Sequence, residues 1–214
     1  MTMKILAHRG AWKSPDEKNS LEALTRAFES GLGVETDLRD FKGMLQISHD
    51  PIVSPGLSFS GLLKKYREIG CYEPLALNIK ADGLLENLKK EIESFGISNY
   101  FIFDMSIPQL YQSKKLGLNF FTRFSEIERF PLTDYVNSCG VWFDSFEGRY
   151  DCEFFESILK VLADNKKVGI VSPELHGKDH KDFWKGIITN KIHLCPSAYL
   201  CTDLPFEARE CFSL

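Results

Sequence analysis

The sequence predicts an α/β fold of the (β/α)8 barrel class, with a single domain spanning residues 1–214. Short apolar runs of strand length alternate with segments of helical apolar spacing along the whole chain. One run, at residues 45–48, is interpreted as an excursion from the main series of strands and is not counted, which leaves eight strands. Eight strands with eight helices in 214 residues is the arithmetic of a compact barrel. A doubly wound open sheet shows the same alternation and is the alternative architecture.

The first half of the chain carries half of the predicted strands and helices. Strands are predicted at residues 4–7, 33–38, 45–48, 75–79 and 100–103. Helices are predicted at residues 21–30, 59–68, 83–95 and 108–115. Asn19 and Ser20 stand where the N-cap of the first helix belongs. Lys42 and Gly43 predict a turn between the second strand and the excursion.

The second half continues the alternation, with one weakly defined connection. Strands are predicted at residues 119–122, 141–143, 168–171 and 198–201. Helices are predicted at residues 153–163 and 182–189, with a last short helix from Pro205 and a weak helical stretch at 132–137. In either architecture, catalytic groups are expected just after the carboxyl ends of the strands.

Composition and charge exclude several classes of function. The chain has 26 Lys and Arg residues against 30 Asp and Glu residues, a formal net charge of −4 and a pI near 5.8, and it has no long basic tract. This pattern predicts no binding to nucleic acid. No run approaches the 18 or so apolar residues of a membrane span, and the first residues lack the apolar core of a secretion signal. We therefore expect a cytoplasmic protein without a membrane span.

Ionisable and polar side chains follow the predicted strands closely. The set comprises His8, Arg9, Glu35, Asp37, His49, Asp50, Asn78, Lys80, Asp104, Arg123, Asp144, Glu174, His176, Thr202 and Asp203. A purely structural protein would seldom place so many ionisable groups along one rim of its core. The rim is therefore the candidate site.

Glu35 and Asp37 are the candidate metal ligands. They lie two residues apart on a predicted strand, so their side chains share one face, and two neighbouring carboxylates repel unless a proton or cation lies between them. Asn78 would add a neutral carbonyl oxygen, which suits Mg²⁺ or Ca²⁺. The alternative is that the carboxylates cap helices or pair with Arg9 and Arg39.

His8 and His49 are the candidate acid and base. Both end strands of the same predicted rim, and two imidazoles flanking one cation can take a proton on one side and give one on the other. Arg9 and Lys80 add positive charge that suits an anionic substrate oxygen such as that of a phosphate. Their alternative role is to pair with Glu35 and Asp37.

The order and spacing of these residues resemble the glycerophosphodiester phosphodiesterase family. The matching segments are HRG at residues 8–10, NSLEA at 19–23, GVETD at 33–37, KG at 42–43, HD at 49–50 and CTDLP at 201–205. The resemblance implies a TIM barrel that hydrolyses a phosphodiester with one divalent metal ion, with Mg²⁺ or Ca²⁺ expected first and Mn²⁺ as a third candidate. It also implies acid and base roles for His8 and His49, metal ligation by Glu35 and Asp37, and a phosphate contact for Lys80.

The chain departs from the family pattern in two places. Asn78 replaces the glutamate of the family's E-x-K strand end, which removes one negative charge and should make metal binding weaker or more selective for one metal. Glu174 is a candidate substitute ligand, with a contact to a substrate hydroxyl or a plain loop position as alternatives. The segment between Asp50 and Asn78 is too short for the usual cap insertion, so we expect an open mouth.

The sequence thus predicts a metal-dependent enzyme that hydrolyses a glycerophosphodiester, or a related small polar phosphodiester, to a phosphomonoester and an alcohol. The predicted substrate-binding residues are Arg9, Lys80 and Glu174, and the predicted metal ligands are Glu35, Asp37 and Asn78. Two alternative hypotheses for the function involve the same residues. One is a barrel that binds a phosphorylated ligand without turnover, and the other is a phospholyase that releases a cyclic phosphate.

Overall fold

The computed structural model describes residues 2–212 and has the predicted alternation of strands and helices. The strands are β1 (Lys4–His8), β2 (Gly33–Phe41), β3 (Met44–Ile47), β4 (Leu75–Ile79), β5 (Tyr100–Phe103), β6 (Phe121–Phe124), β7 (Gly140–Phe143), β8 (Lys167–Val171) and β9 (Ala198–Thr202). The α-helices are α1 (Leu21–Glu29), α2 (Phe59–Ile69), α3 (Leu85–Ser94), α4 (Ile107–Leu116), α5 (Cys152–Ala163), α6 (Lys181–Thr189) and α7 (Pro205–Phe212). Short 3-10 helices occupy Pro15–Glu17, Pro173–His176 and Ile192–Leu194.

The strand order confirms the predicted fold class. The sheet runs β5-β4-β2-β1-β9-β8-β7-β6, with β3 attached to β2 outside this path. The pairs β2-β4, β4-β5, β6-β7, β7-β8 and β8-β9 are parallel. This is the strand order of a (β/α)8 barrel rather than of a doubly wound sheet.

The excursion after β2 is a β-hairpin, as expected. β3 pairs with β2 in antiparallel register, with Phe41 opposite Met44. Lys42 and Gly43 form the turn with φ angles of 51° and 81°, and two successive residues of positive φ are what a tight hairpin turn requires. The hairpin returns the chain to the middle of β2, where the Ser48 amide donates to the Asp37 carbonyl at 3.0 Å.

The connection between β6 and β7 differs from the prediction. Strand β6 begins at Phe121, two residues later than expected, and the predicted helical stretch at 132–137 consists of turns. Asp134, inside this stretch, has a φ angle of 50°, a left-handed conformation that does not continue a right-handed α-helix. Residues 2–212 therefore contain seven α-helices rather than eight.

The chain divides into two compact units. The first unit comprises Ala7–Phe120, and the second comprises Met1–Leu6 with Phe121–Leu214. Fully buried leucines, among them Leu24, Leu38 and Leu63, belong to the core of the first unit. Aromatic rings dominate the second, where Phe143 contacts Phe124 and Phe154 at centroid distances of 5.0 and 5.8 Å. Between residues 2 and 212, none of the helices combines the length and the apolar character needed to cross a membrane.

Candidate active site

A tight turn after β1 positions His8 and Arg9. His8 is the last residue of the strand, and Arg9 and Gly10 follow with φ angles of 56° and 93°. The Arg9 amide donates to the Glu35 carbonyl at 2.8 Å, which ties the turn to β2. A Cβ atom at Gly10 would lie 2.7 Å from the carbonyl carbon of Ala23 in α1, so only glycine allows the helix to approach this closely.

Glu35 and Asp37 form a buried carboxylate pair on β2. Their exposed fractions are 3% and 0%. Burial raises the pKa of Glu35 well above its ordinary value and the nearby Asp37 raises it further, whereas the charges of Arg9 and Lys80 lower it. Additional positive charge at this pair would therefore favour the ionised form of Glu35.

Asp37 is held by two cations and an amide. Arg9 Nε lies 2.9 Å from Asp37 Oδ2, and Lys80 Nζ lies 3.4 Å from Oδ1. Asn19 Nδ2 also donates to Oδ2 at 2.9 Å, while Asn19 Oδ1 accepts a hydrogen bond from Thr36 Oγ1 at 2.7 Å. The helix cap of α1 is Ser20, whose Oγ accepts from the Ala23 amide, so Asn19 is free for this contact.

His8 lies beside the carboxylate pair. Its Nε2 atom is 3.9 Å from Glu35 Oε2, and its side chain is 13% exposed. The Trp12 indole donates to the His8 carbonyl at 3.2 Å, which further fixes the turn. The arrangement places an imidazole next to a carboxylate whose pKa is raised by burial.

Asn78 uses its side-chain nitrogen in a hydrogen bond and leaves its side-chain oxygen without one. It is the residue of β4 directly opposite Asp37 in the parallel register and is 6% exposed. Asn78 Nδ2 donates to Asp104 Oδ2 at 3.2 Å, which fixes the orientation of the amide. The carbonyl oxygen Oδ1 is left without a hydrogen bond.

Three buried oxygens of this site accept no hydrogen bond, and they belong to the three predicted metal ligands. They are Glu35 Oε2, Asp37 Oδ1 and Asn78 Oδ1. Buried acceptors without hydrogen bonds are rare in native proteins, and hard divalent cations prefer oxygen ligands of this kind. Among residues 2–212, no group of three or more His, Cys, Asp and Glu side chains is arranged to hold a metal ion. The donor set here fits a divalent cation through two carboxylates and one amide.

His49 lies on the loop after β3 and is held by its neighbours. Its Nδ1 atom is 2.9 Å from Asp50 Oδ1, and its side chain is 45% exposed. Arg39 Nε donates to the His49 carbonyl at 2.9 Å. The hydrogen bond from His49, together with its charge and those of Arg9 and Arg39, lowers the pKa of Asp50. This pairing leaves Nε2 of His49 for another partner.

A polar cavity of about 450 Å³ brings Arg9 and His49 to a common wall. It is lined by Arg9, Pro15, Lys18, Asn19, Ser20, Ile47, Ser48, His49, Asp50 and Leu57. Between β3 and β4, α2 is the one helix that the structure describes, which accords with the short segment that the sequence allots to a cap. Most of the predicted site residues belong to the first unit, namely His8, Arg9, Glu35, Asp37, His49, Asn78 and Lys80. Of these, Arg9 and His49 line the cavity.

Glu174 belongs to the second unit, in the 3-10 helix Pro173–His176. Its Oε1 atom accepts hydrogen bonds from Thr202 Oγ1 and the Asp203 amide, and Oε2 accepts from Ser172 Oγ. Both carboxylate oxygens are therefore engaged by the protein at the end of β9. A role for Glu174 toward substrate or metal stays a prediction.

Sequence reasoning missed two arrangements. The contact of Asn19 with Asp37 was hidden because Asn19 also fits an N-cap position. The second missed arrangement is a hydrogen bond of 2.7 Å between His176 Nε2 and Asp144 Oδ1 in the second unit. Both residues follow predicted strands, but their distance along the chain gave no signal that they pair.

Solved structures of phosphodiesterases have the same fold. A candidate glycerophosphodiester phosphodiesterase from Galdieria sulphuraria aligns with a TM-score of 0.77 and 17% identity, covering 99% of this chain and 98% of the other. The glycerophosphodiester phosphodiesterase from Agrobacterium tumefaciens aligns with a TM-score of 0.73 and 16% identity over 99% and 100% of the two chains. A phosphodiesterase from Oleispira antarctica, in complex with the product sn-glycerol-3-phosphate, aligns with a TM-score of 0.72 and 14% identity over 100% and 98%.

Sequence comparison alone gives no such relation: neither a protein-family model nor a curated protein matches the chain. The relation is carried by the fold over nearly the whole length of each chain. The protein therefore has the barrel fold of these glycerophosphodiester phosphodiesterases, which is the fold that the motif resemblance implies.

Proposed function

We propose that the protein hydrolyses a glycerophosphodiester, or a related small polar phosphodiester, to a phosphomonoester and an alcohol in a metal-dependent reaction. The observation that carries the proposal is the set of three buried oxygens without hydrogen bonds, on Glu35, Asp37 and Asn78, beside the basic groups of His8, Arg9 and Lys80. The structural neighbours support the same reaction, and one of them holds sn-glycerol-3-phosphate.

Glu35, Asp37 and Asn78 would hold one divalent cation, with Mg²⁺ and Ca²⁺ as the first candidates and Mn²⁺ as the third. When bound, the cation would polarise a phosphoryl oxygen and lower the pKa of an attacking hydroxyl. Two carboxylates and an amide give the ligand set a charge of −2, and Arg9 and Lys80 already balance part of it. We therefore expect weaker metal binding than a set of three carboxylates would give.

Each remaining residue has a role that follows from its surroundings. His8 adjoins Glu35, so it can exchange a proton with a hydroxyl bound at the carboxylate pair. His49, held through Nδ1 by Asp50, offers Nε2 to a leaving or attacking oxygen in the cavity. Arg9 and Lys80 supply the fixed positive charge that a phosphate diester and its transition state require.

The deciding experiment measures turnover of a panel of glycerophosphodiesters with Mg²⁺, Ca²⁺ and Mn²⁺ in turn. We expect metal-dependent release of a phosphomonoester, and His49→Ala should lower kcat about 10²- to 10⁴-fold, the usual contribution of a general acid or base. Added imidazole should restore part of the activity, since the position is half exposed. Phosphorus NMR identifies the product, and a cyclic diester would indicate a phospholyase instead.

His180→Ala is the matched control, because it removes an imidazole that packs on Trp184 and lies 3.4 Å from Glu207 rather than lining the cavity. Its turnover per folded molecule should equal that of the wild type. No turnover by the wild type with any pair of diester and metal would contradict the proposed reaction and leave binding of a phosphorylated ligand.

A further inference from the structure

Asn19 lies in the wall of the polar cavity, and its backbone is held in place. Its φ angle is 63°, a left-handed conformation that asparagine adopts more readily than most residues. Its backbone amide donates to the Arg9 carbonyl at 2.9 Å, and the next residue, Ser20, caps helix α1. The backbone therefore fixes the point from which the Asn19 side chain extends.

The side chain of Asn19 bridges two adjacent residues of β2. Thr36 Oγ1 donates to Asn19 Oδ1 at 2.7 Å, and Asn19 Nδ2 donates to Asp37 Oδ2 at 2.9 Å. Both Thr36 and Asp37 have exposed fractions of 0%. An amide can serve both partners because it carries an acceptor and a donor. Since the Thr36 hydroxyl engages the amide oxygen, the amide nitrogen is the atom that meets the carboxylate.

The two oxygens of Asp37 have different surroundings. Oδ2 accepts the hydrogen bond from Asn19, while Arg9 Nε lies 2.9 Å from the same oxygen without making a hydrogen bond. Oδ1 is buried, accepts no hydrogen bond and lies 3.4 Å from Lys80 Nζ. The hydrogen bond from Asn19 thus orients the carboxylate by engaging Oδ2, and Oδ1 is the oxygen that can accept a cation.

We propose that Asn19, oriented by Thr36, is a positioning residue that makes Asp37 bind a divalent cation through Oδ1 alone and thereby shifts the selectivity of the site from Ca²⁺ toward Mg²⁺. The inference rests on the proposed function, because it concerns the metal ion of the same site. Mg²⁺ demands near-ideal octahedral geometry, whereas Ca²⁺ accepts flexible sites and bidentate carboxylates. A carboxylate whose second oxygen is already engaged therefore suits Mg²⁺ better.

The test is calorimetric titration of the wild type and of Asn19→Gly with Mg²⁺ and with Ca²⁺, in the absence of substrate. Glycine removes the side chain and tolerates the left-handed backbone. We expect Asn19→Gly to weaken Mg²⁺ binding about 10- to 100-fold, the usual effect of removing a partner that holds a metal ligand. Ca²⁺ binding should weaken less, so that the ratio of the two dissociation constants changes in favour of Ca²⁺. A loss of folded protein would lower the binding stoichiometry and leave that ratio unchanged.

Thr36→Val tests whether the effect passes through Asn19. Because side chains alternate along a strand, Thr36 extends from the face of β2 opposite to Glu35 and Asp37. Thr36→Val should change the ratio in the same direction as Asn19→Gly and should add nothing to it in the double variant. Thr36→Ser keeps the hydroxyl and should preserve the wild-type ratio. Equal effects of Thr36→Val with and without the Asn19 side chain would overturn the link between the two residues.

Asn165→Gly is the matched control. Asn165 is exposed, lies two residues after α5 in the second unit and has a φ angle of 58°, so the same substitution is made at the same backbone conformation. It should leave both dissociation constants unchanged.

Metal binding and turnover separate the inference from the proposed function. An unchanged ratio in Asn19→Gly, with turnover of a diester by the wild type, overturns the inference and keeps the proposed function. A changed ratio without turnover of any diester supports the inference and overturns the proposed reaction. A wild-type protein that binds neither ion would overturn both.

Discussion

At the scale of single residues, the side-chain amide of Asn78 donates a hydrogen bond through its nitrogen and keeps its oxygen for another ligand role. Its nitrogen donates to Asp104, and its buried oxygen is left without a hydrogen bond. A carboxylate at the same position would add charge to the ligand set but would lose the hydrogen bond and face Asp104. The residue at position 78 therefore determines both the charge of the proposed ligand set and the contact with Asp104, which follows β5.

Replacing this amide predicts a gain in metal affinity. Asn78→Glu should tighten Mg²⁺ or Ca²⁺ binding by about tenfold, because a third carboxylate strengthens a hard-cation site. The double variant Asn78→Glu with Asp104→Asn is the matched control, since it restores an amide donor across the same pair and should bind at least as tightly. Calorimetric titration of each protein measures the effect. Equal affinities in all three proteins would show that position 78 does not contact the metal.

The residues of the site differ in how well the sequence could predict them. Glu35 and Asp37 could be predicted because side chains two apart on a strand must share a face. The contact of Asn19 with Asp37 could not, because it depends on how the turn after β1 folds back over β2. The two bonds that engage Glu174 at the end of β9 likewise depend on tertiary placement. Local periodicity predicts that a residue lies at a strand end, but it does not predict which side chain that residue contacts.

At the scale of elements, the end of β7 and the 3-10 helix Pro173–His176 are joined by one polar pair. His176 Nε2 bonds to Asp144 Oδ1, whose other neighbour is the Ser145 amide at 2.8 Å. The hydrogen bond that His176 donates to Asp144 is the main cause that raises the pKa of His176; burial and the charge of Lys178 lower it, while the charge of Glu126 raises it. The pair is thus stronger when the imidazole is protonated.

This pair predicts a pH dependence of stability. A folded-state pKa above the unfolded value of about 6.5 means that the contribution is fully present below that pH and is lost as pH rises through the folded pKa. Urea unfolding from pH 5.5 to 8.5 should show a loss of stability on His176→Gln that is larger at the acidic end. Asp144→Asn should remove the same dependence. A pH-independent difference between wild type and His176→Gln would assign the bond a purely structural role.

At the scale of the whole molecule, the boundary between the two units falls in places that do not resemble linkers. One crossing point lies between Leu6 and Ala7, inside β1, and the other lies between Phe120 and Phe121, where β6 begins. Domain boundaries normally fall in exposed, flexible segments. A chain that changes units within a strand is therefore expected to unfold as a single domain of residues 1–214.

Calorimetry tests this expectation directly. One cooperative transition should appear, with calorimetric and van't Hoff enthalpies equal at about 150 kcal/mol near 60 °C for a chain of 214 residues. Leu38→Ala in the first unit and Phe143→Leu in the second both reduce a fully buried side chain, and each should lower the Tm of the whole transition. Separate unfolding would instead give a van't Hoff enthalpy of roughly half the calorimetric value, with each substitution moving only one component. That result would make the two units independent domains and would confine the candidate active site to a piece able to fold alone.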